Sequence, residues 1–350
     1  MKMKSIKLYI GVIVAFMSLS FMSCNVHEWP AEEAKAKVLL HLDYNTAIDE
    51  YLTMYADMGR ASRSPEDYDT RYIIKAYLYI SDTEYLPQSF AEWRFTRDDV
   101  DDIECSRELE LSPGKYKIMV WTDFVTQGTD TDKFYKASNF SNIEMTGEYD
   151  ANNDFRDAFV GSVDLNVDYE DLSNTSVVEE TVLMERPLAK YYFITTDVEE
   201  FTSRYIDMHN LKSTPNAIIV GTEQIDYSKL SLKFSYPGYL PYIFNMFTDR
   251  PIDSMPPGSV SYDSHITDIT NEEATLGFDY VLVNGMESSV DVKVALYDTD
   301  GSLISMSSSI NVPLVRGKYT IVKGKFFTQN QSGGVGIDPS FTDDFNYWIP

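Results

Sequence analysis

The chain has 350 residues, 43% of them hydrophobic, with 29 Lys and Arg against 55 Asp and Glu, a formal net charge of −26. That apolar content excludes an intrinsically disordered chain, and so acidic a surface excludes nucleic acid, whose binding depends on clustered Lys and Arg. Four histidines (His27, His41, His209 and His265) and two cysteines, with no HExxH or CxxC spacing, give a transition-metal site no support.

In chain order, Lys2, Lys4 and Lys7 open the sequence without an acidic residue, and the apolar run LYIGVIVAFMSLSFM follows from Leu8 to Met22. A basic lead, a short apolar stretch and a small residue before a cut describe a secretory signal peptide. The run falls short of the roughly 20 apolar residues that a spanning helix needs. Ser23-Cys24 at its end resembles a bacterial lipobox, with Phe21 where Leu is usual and Met22 in place of a small residue. The resemblance implies that residues 1–23 are removed and that the Cys24 thiol carries a diacylglycerol. The mature chain then has 26 basic and 55 acidic side chains, a charge of −29. An anionic bilayer repels such a surface, so acyl chains on Cys24 must supply the hold on a membrane. Cys105 is then a small hydrophobe rather than half of a disulfide or a nucleophile.

After a tether over 24–36, strand signals dominate: short runs with apolar and polar residues alternating, bounded by turn residues. KVLLHLDY (Lys37 to Tyr44) is the first expected strand. Residues 45–69 read as a polar exposed loop that holds Arg60 and Arg63. RYIIKAYLYIS follows as a strand, then LELSPGKYKIMVWTDF, in which Ser-Pro-Gly marks a turn into YKIMVW. The stretch 126–153 reads as loop, FVGSVDLNV and SVVEETVLMERPL as strands. Near Arg186-Pro187 the pattern restarts: AKYYFITTDV is a strand, EEFTSRYIDMHNL a short helix or loop. The later expected strands are AIIVG, KLSLKFSY, TLGFDYVLV, SVDVKVALYD, LISMSSSINV and KYTIVKGKFFT. Asp300-Gly301 between two alternating runs predicts a hairpin turn. No sustained helical period appears beyond the signal. The sequence predicts an all-β chain of two β-sandwiches, over 37–187 and 188–329. A tail over 330–350 is Gly-rich at its start and ends in Phe345, Tyr347, Trp348 and Ile349. Such a tail docks on its own domain or is offered to a neighbour as a strand.

No motif selects a catalytic group. There is no G-x-S-x-G elbow and no glycine-rich phosphate loop, and many acids but no particular pair stand ready for glycoside hydrolysis. DANNDF places Asp150, Asn152 and Asp154 at the first, third and fifth positions of an EF-hand-like loop. The Gly and Glu that such a loop needs further on are here Phe155 and Gly161, so the motif fails. Asp98, Asp99, Asp101 and Asp102 read as a solvated edge, which leaves weak surface calcium open. The expectation is a protein that is not an enzyme and carries no cofactor and no metal.

Several stretches stand together in one order: Cys24 with HEWP close behind, LSPGKYKIMVWTDF, RPLAKYYFITTD, YPGYLPYIFN, and NVPLVRGKYTIVKGKFFT before GGVGIDPSF. This set resembles the fimbrillin-associated anchor and accessory lipoproteins (FimB and Mfa types) of Bacteroidales type V pili, over nearly the whole mature chain. The resemblance implies two tandem transthyretin-like sandwiches and a lipid-anchored place in the outer membrane, exposed at the surface. It also implies pilus subunits as partners, engaged by exchange of a β-strand. Of the family's functional residues only the anchoring cysteine carries over, to Cys24. Stalk subunits of such pili are cut after an arginine to free their first strand, so Arg60 and Arg63 raise the alternative of a processed stalk or tip subunit. Ordinary loop arginines are the simpler account. A second alternative is a glycan-binding surface lipoprotein, suggested by 25 tyrosines in an acidic chain.

Overall fold

A computed structural model describes residues 34–45, 68–97, 105–146, 149–172, 177–209 and 225–329, and the backbone of 346–348. Strands β1 (Ala36–Tyr44), β4 (Cys105–Leu111) and β9 (Val177–Met184) form one sheet in the order β4-β1-β9. It faces a second sheet, β3 (Ala91–Arg97), β2 (Tyr68–Leu78), β5 (Gly114–Thr126) and β8 (Phe159–Val167), in that order. Val38, Leu40, Leu109, Tyr72, Ile74, Ile118 and their neighbours fill the space between as one core. The Ser112-Pro113 turn, read from the sequence as a strand boundary, carries the chain from the first of these sheets to the second.

The second half repeats the plan. Strands β15 (Ala274–Leu282), β10 (Leu188–Thr195), β19 (Tyr319–Gly324) and β20 (Asn346–Trp348) lie in that order. Opposite them are β14 (Ser261–Ser264), β11 (Ser231–Ser235) and β16 (Glu287–Tyr297). The long β16 changes partner along its length, from β18 (Ile310–Val315) to β17 (Leu303–Met306). LISMSSSINV, expected as one strand, is therefore two. Ser307 makes the break, donating its N–H to Val294 O and accepting the Val294 N–H on its hydroxyl, both at 2.9 Å. The hairpin at Asp300-Gly301 forms as the sequence predicts, with Gly301 at φ +81°. EEFTSRYIDMHNL resolves to a helix, α1 (Val198–Met208), which buries Val198, Phe201, Thr202 and Tyr205, the spacing of one helical face. AIIVG lies outside the described residues.

Strands β9 and β10 lie in different sheets, yet the two halves are joined. Strands β6 (Tyr135–Lys136) and β7 (Ile143–Met145), in the stretch read as loop, pair with each other, and β7 pairs with β12 (Leu240–Asn245) of the second half, which pairs with β13 (Arg250–Met255). A third core lies between the sandwiches, with Ile73, Trp121, Phe134, Phe140 and Phe155 from the first half and Leu188, Phe244, Phe278 and Tyr280 from the second. Strands β2 and β10 are consequently covered on both faces.

Charged residues in this middle layer are paired, as burial demands. Arg71 is fully buried and donates to both oxygens of Asp123, at 2.8 and 2.6 Å, and to Asp132 at 2.7 Å. Arg316 holds Asp249 by two bonds of 2.7 and 2.8 Å. Residues 149–157 reach into the open end of the second sandwich. Asn152 docks on β15, donating its N–H to Phe278 O at 3.0 Å and accepting the Phe278 N–H at 2.7 Å. Gly277 makes this approach feasible, since a Cβ there would stand 2.8 Å from Asn152 Oδ1 and 2.6 Å from Ser264 Oγ. Beneath it, Asp279 is wholly buried and accepts the hydroxyls of Tyr149 and Tyr236, each at 2.5 Å. Tyr191 bonds in turn with Tyr236 and Tyr262 at 2.7 and 3.0 Å. Arg156 brings its Nε to 3.4 Å from Asp279 and lies over the Tyr149 ring, while neither its Nε nor its Nη2 makes a hydrogen bond.

Two predictions follow from this packing. Burial pushes the phenols of Tyr149, Tyr191, Tyr236 and Tyr262 well above 10. The folded state keeps these protons when the unfolded chain has lost them, so their contribution is complete below pH ~10 and falls as pH rises beyond it, by roughly 1.4 kcal/mol per pH unit for each group. Denaturant titrations from pH 8 to 12 should show this loss, with the phenolate absorbance of these tyrosines rising together with unfolding rather than before it. Separately, β8 crosses β9 so closely at Gly161 that a Cβ would meet Val182 Cγ1 at 2.5 Å and Leu183 O at 2.6 Å. Gly161→Ala should lower stability by about 1–3 kcal/mol in thermal or urea unfolding.

Candidate assembly site

Strand β1 has the pattern of a separable unit. Ala36, Val38, Leu40 and Leu42 alternate into the core and are at most 3% exposed, while Lys37 and Asp43 face solvent. Seven residues, Ala36 to Leu42, pair antiparallel with β4, and eight, Lys37 to Tyr44, pair parallel with β9. The strand is thus central in its sheet, bonded on both sides, although only three strands make up that sheet. The outer contacts are slight: Lys37 to Glu108 at 3.1 Å, both side chains half-exposed, and His41 Nδ1 to Ser106 Oγ at 2.9 Å. Exposed pairs of this kind add little. The core face dominates, at roughly 1.5–3 kcal/mol for each of Val38, Leu40 and Leu42.

A clasp closes the far end. Tyr44 reaches across the sandwich to Thr122 Oγ1 at 2.9 Å and packs edge-on to Phe159 at 5.0 Å, where burial pushes its phenol up. Asn45 donates its N–H to Met184 O at 2.9 Å and accepts from Arg186 Nη1 on its carbonyl at 3.3 Å. Arg186 is itself held by Asp157 at 2.7 Å and lies over the Phe159 ring at 4.4 Å. The carbonyl of Arg186 accepts from Arg316 at 2.8 Å. One residue thus links the end of β1, the entry to β8 and the second sandwich.

Cys105 sits at the start of β4, opposite Leu42, 3% exposed among the same apolar side chains. The other residues singled out in the sequence are placed as follows. Cys24, Arg60 and Arg63 lie outside the described residues, the two arginines between the end of β1 and the start of β2. In the tail, the backbone of 346–348 runs parallel beside Ile321 to Lys323 as the edge strand of the second sandwich. Phe345, Ile349 and the side chains of Tyr347 and Trp348 are outside the described residues. Asp150, Asn152 and Asp154 do not converge on one point: Asn152 bonds β15, Asp154 bonds Lys190, and Asp150 accepts from Asn153. Among the described residues no three His, Cys, Asp or Glu side chains group as a metal site. The sequence alone does not point to Arg186 as a clasp or to Asp157 and Asn45 as its partners. Nothing local marks them, because the three meet only when the sandwich closes.

Leu40→Ala should cost about 2–5 kcal/mol of stability, the range for a buried leucine. If β1 opens as a unit, the same variant should raise the labelling rate of Cys105 by a thiol reagent under native conditions, since Cys105 lies beneath the strand's end.

No curated protein matches the chain. Among solved structures it is similar to a putative adhesin from Bacteroides ovatus, with 10% identity, 78% of this chain and 77% of that chain covered, and a TM-score of 0.39. It is similar also to the fimbrial anchor protein Mfa2 from Porphyromonas gingivalis, with 9% identity, 77% and 82% covered, and a TM-score of 0.36. A fimbrial assembly protein from Parabacteroides distasonis gives 11% identity, 85% and 93% covered, and a TM-score of 0.35. These are distant likenesses, and at such TM-scores they carry no function across. A family model matches residues 30–350, and the chain belongs to that family, the family of unknown function DUF6562.

Proposed function

We propose that this protein is a lipid-anchored surface subunit of a fimbria, held in the outer membrane by acyl chains on Cys24. It engages a pilus subunit through the β1 slot. The observation that carries this reading is the strand itself. It is an apolar nine-residue segment, bonded on both edges, that contributes nothing to the core shared by the sandwiches. Its place in the sequence adds support, between a tether that begins at Cys24 and a polar segment that holds Arg60 and Arg63. If β1 leaves, a groove opens between β4 and β9 with apolar positions at every second residue and two rows of unpaired backbone groups. A strand of alternating apolar residues from a neighbouring subunit answers both needs. If β1 stays, the clasp at Asn45 keeps the slot filled, and the chain acts as a permanent basal or accessory subunit. No catalytic step enters either version. The anchor version is favoured because ordinary loop arginines are the simpler account of Arg60 and Arg63.

Intact mass of the protein extracted from native membranes decides between them. A chain beginning at Cys24 with added acyl mass is the expected result. A chain beginning after Arg60 or Arg63 without lipid would make it a processed, polymerising subunit, and an unacylated start near residue 24 would overturn the lipoprotein reading. The slot is tested apart from the lipid. A chain beginning at residue 46 should fold poorly alone and recover when the peptide AKVLLHLDY is supplied in trans, and a peptide with Leu40→Asp should not rescue it.

A further inference from the structure

Lys190 lies on β10 with 1% exposure. Its Nζ stands 2.5 Å from Asp154 Oδ1, in the turn that leads into β8. Three aromatic rings surround the amine: Phe278 at 4.1 Å, Tyr192 at 4.6 Å and Tyr280 at 4.9 Å from their centroids. The hydroxyl of Tyr280 donates to the same Asp154 oxygen at 3.2 Å. A second carboxylate, Asp157, is buried nearby and held by Arg186. The Asp154 side chain keeps 34% exposure, so the carboxyl sits at the mouth of the cage and the amine at its base.

We infer that Lys190 and Asp154 condense into an intramolecular isopeptide bond between Nζ and Cγ. The reacting groups are already in contact, which removes the translational and orientational part of the barrier. Burial lowers the pKa of the amine, because the ammonium is taken out of water. The step begins with transfer of one Nζ proton to the Asp154 carboxylate across their existing bond, giving a free amine and a carboxylic acid. The amine lone pair then attacks Cγ and negative charge gathers on the other carboxyl oxygen, Oδ2, while the Tyr280 hydroxyl stays bonded to Oδ1, the oxygen that leaves. The C–OH bond breaks, the leaving hydroxyl takes a second proton from nitrogen, and water departs through the exposed mouth. An ammonium and a carboxylate thereby become one amide and one water, with no oxidant or reductant involved. The buried charge of Lys190 and the partly exposed charge of Asp154 disappear together, while the Arg186–Asp157 pair remains balanced beside the new bond. The bond ties the entry to β8 of the first sandwich to β10 of the second, across the shared core. It is independent of any lipid and of strand exchange.

The test is mass spectrometry of the purified chain after full denaturation and proteolysis, with Lys190→Met and Asp154→Ala alongside. A branched peptide joining Lys190 to Asp154, lighter by one water than the two linear peptides together, is expected in the native chain and absent from both variants. Linear peptides of full mass for both residues would overturn the inference. So would loss of water confined to one unbranched peptide, the mark of a cyclised aspartyl imide. Because the native chain alone supplies the decisive readout, a variant that fails to fold does not blunt the test.

Discussion

The structure depends on the burial of two sheets on both faces. A sandwich needs each sheet to be apolar on its inner face only. Here β2 and β10 are covered on the outer face as well, and that second face must be taken out of water by something. Each sandwich does this for the other, through Trp121, Phe134 and Phe140 on one side and Leu188, Phe244 and Phe278 on the other. Large side chains of this kind supply roughly 1.5–3 kcal/mol each when fully buried. Burial on that scale explains why the buried cations lie where they do. Arg71, Lys190, Arg186 and Arg316 all belong to this zone, and all meet carboxylates within 2.7 Å. A buried ion pair adds little to stability against an apolar pair of the same size, but removal of one partner is severe. The charges therefore specify how the two halves meet more than they hold them together.

The separation of β1 from the shared core follows from the same division of labour. The sheet that contains β1 has one face in solvent, and the side chains of β1 reach only the core of their own sandwich. A strand can leave that sheet without disturbing the shared layer. Arg186 is where the two regions touch. Its side chain holds the end of β1, and its carbonyl is fixed by Arg316 from the second sandwich. Departure of β1 breaks one end of that contact and leaves the other intact.

Much of the strand pattern was legible. β1, β5, β8, β11, β15 and β16 stand within a few residues of their predicted runs, because alternating side chains on half-buried strands leave a period-two trace. The strands passed over have identifiable reasons. β12 and β13 carry Pro241 and Pro251, which argue against central strands. β6 and β7 are two and three residues long, too short for any period. β3 is different: AEWRFTR alternates cleanly, with burial in step, and its signal was present in the sequence. The continuous runs RYIIKAYL and AKYYFIT carried a further message. Apolar residues on both faces of a strand, with Arg71, Lys75 and Lys190 embedded among them, indicate a sheet covered twice and charges that must find buried partners.

By itself the sequence determined the all-β class and the existence and order of most strands. These are encoded within a few consecutive residues, where side-chain alternation and turn chemistry act locally. Only the tertiary structure decided that the two sandwiches share a core, that Arg186 holds the end of β1, that Asp279 accepts from Tyr149 and Tyr236, and that Lys190 faces Asp154 inside an aromatic cage. Those contacts join residues from 29 to 141 positions apart. Their partners are chosen by closure of the chain upon itself and by the need to satisfy every buried polar group, and no local pattern records that choice.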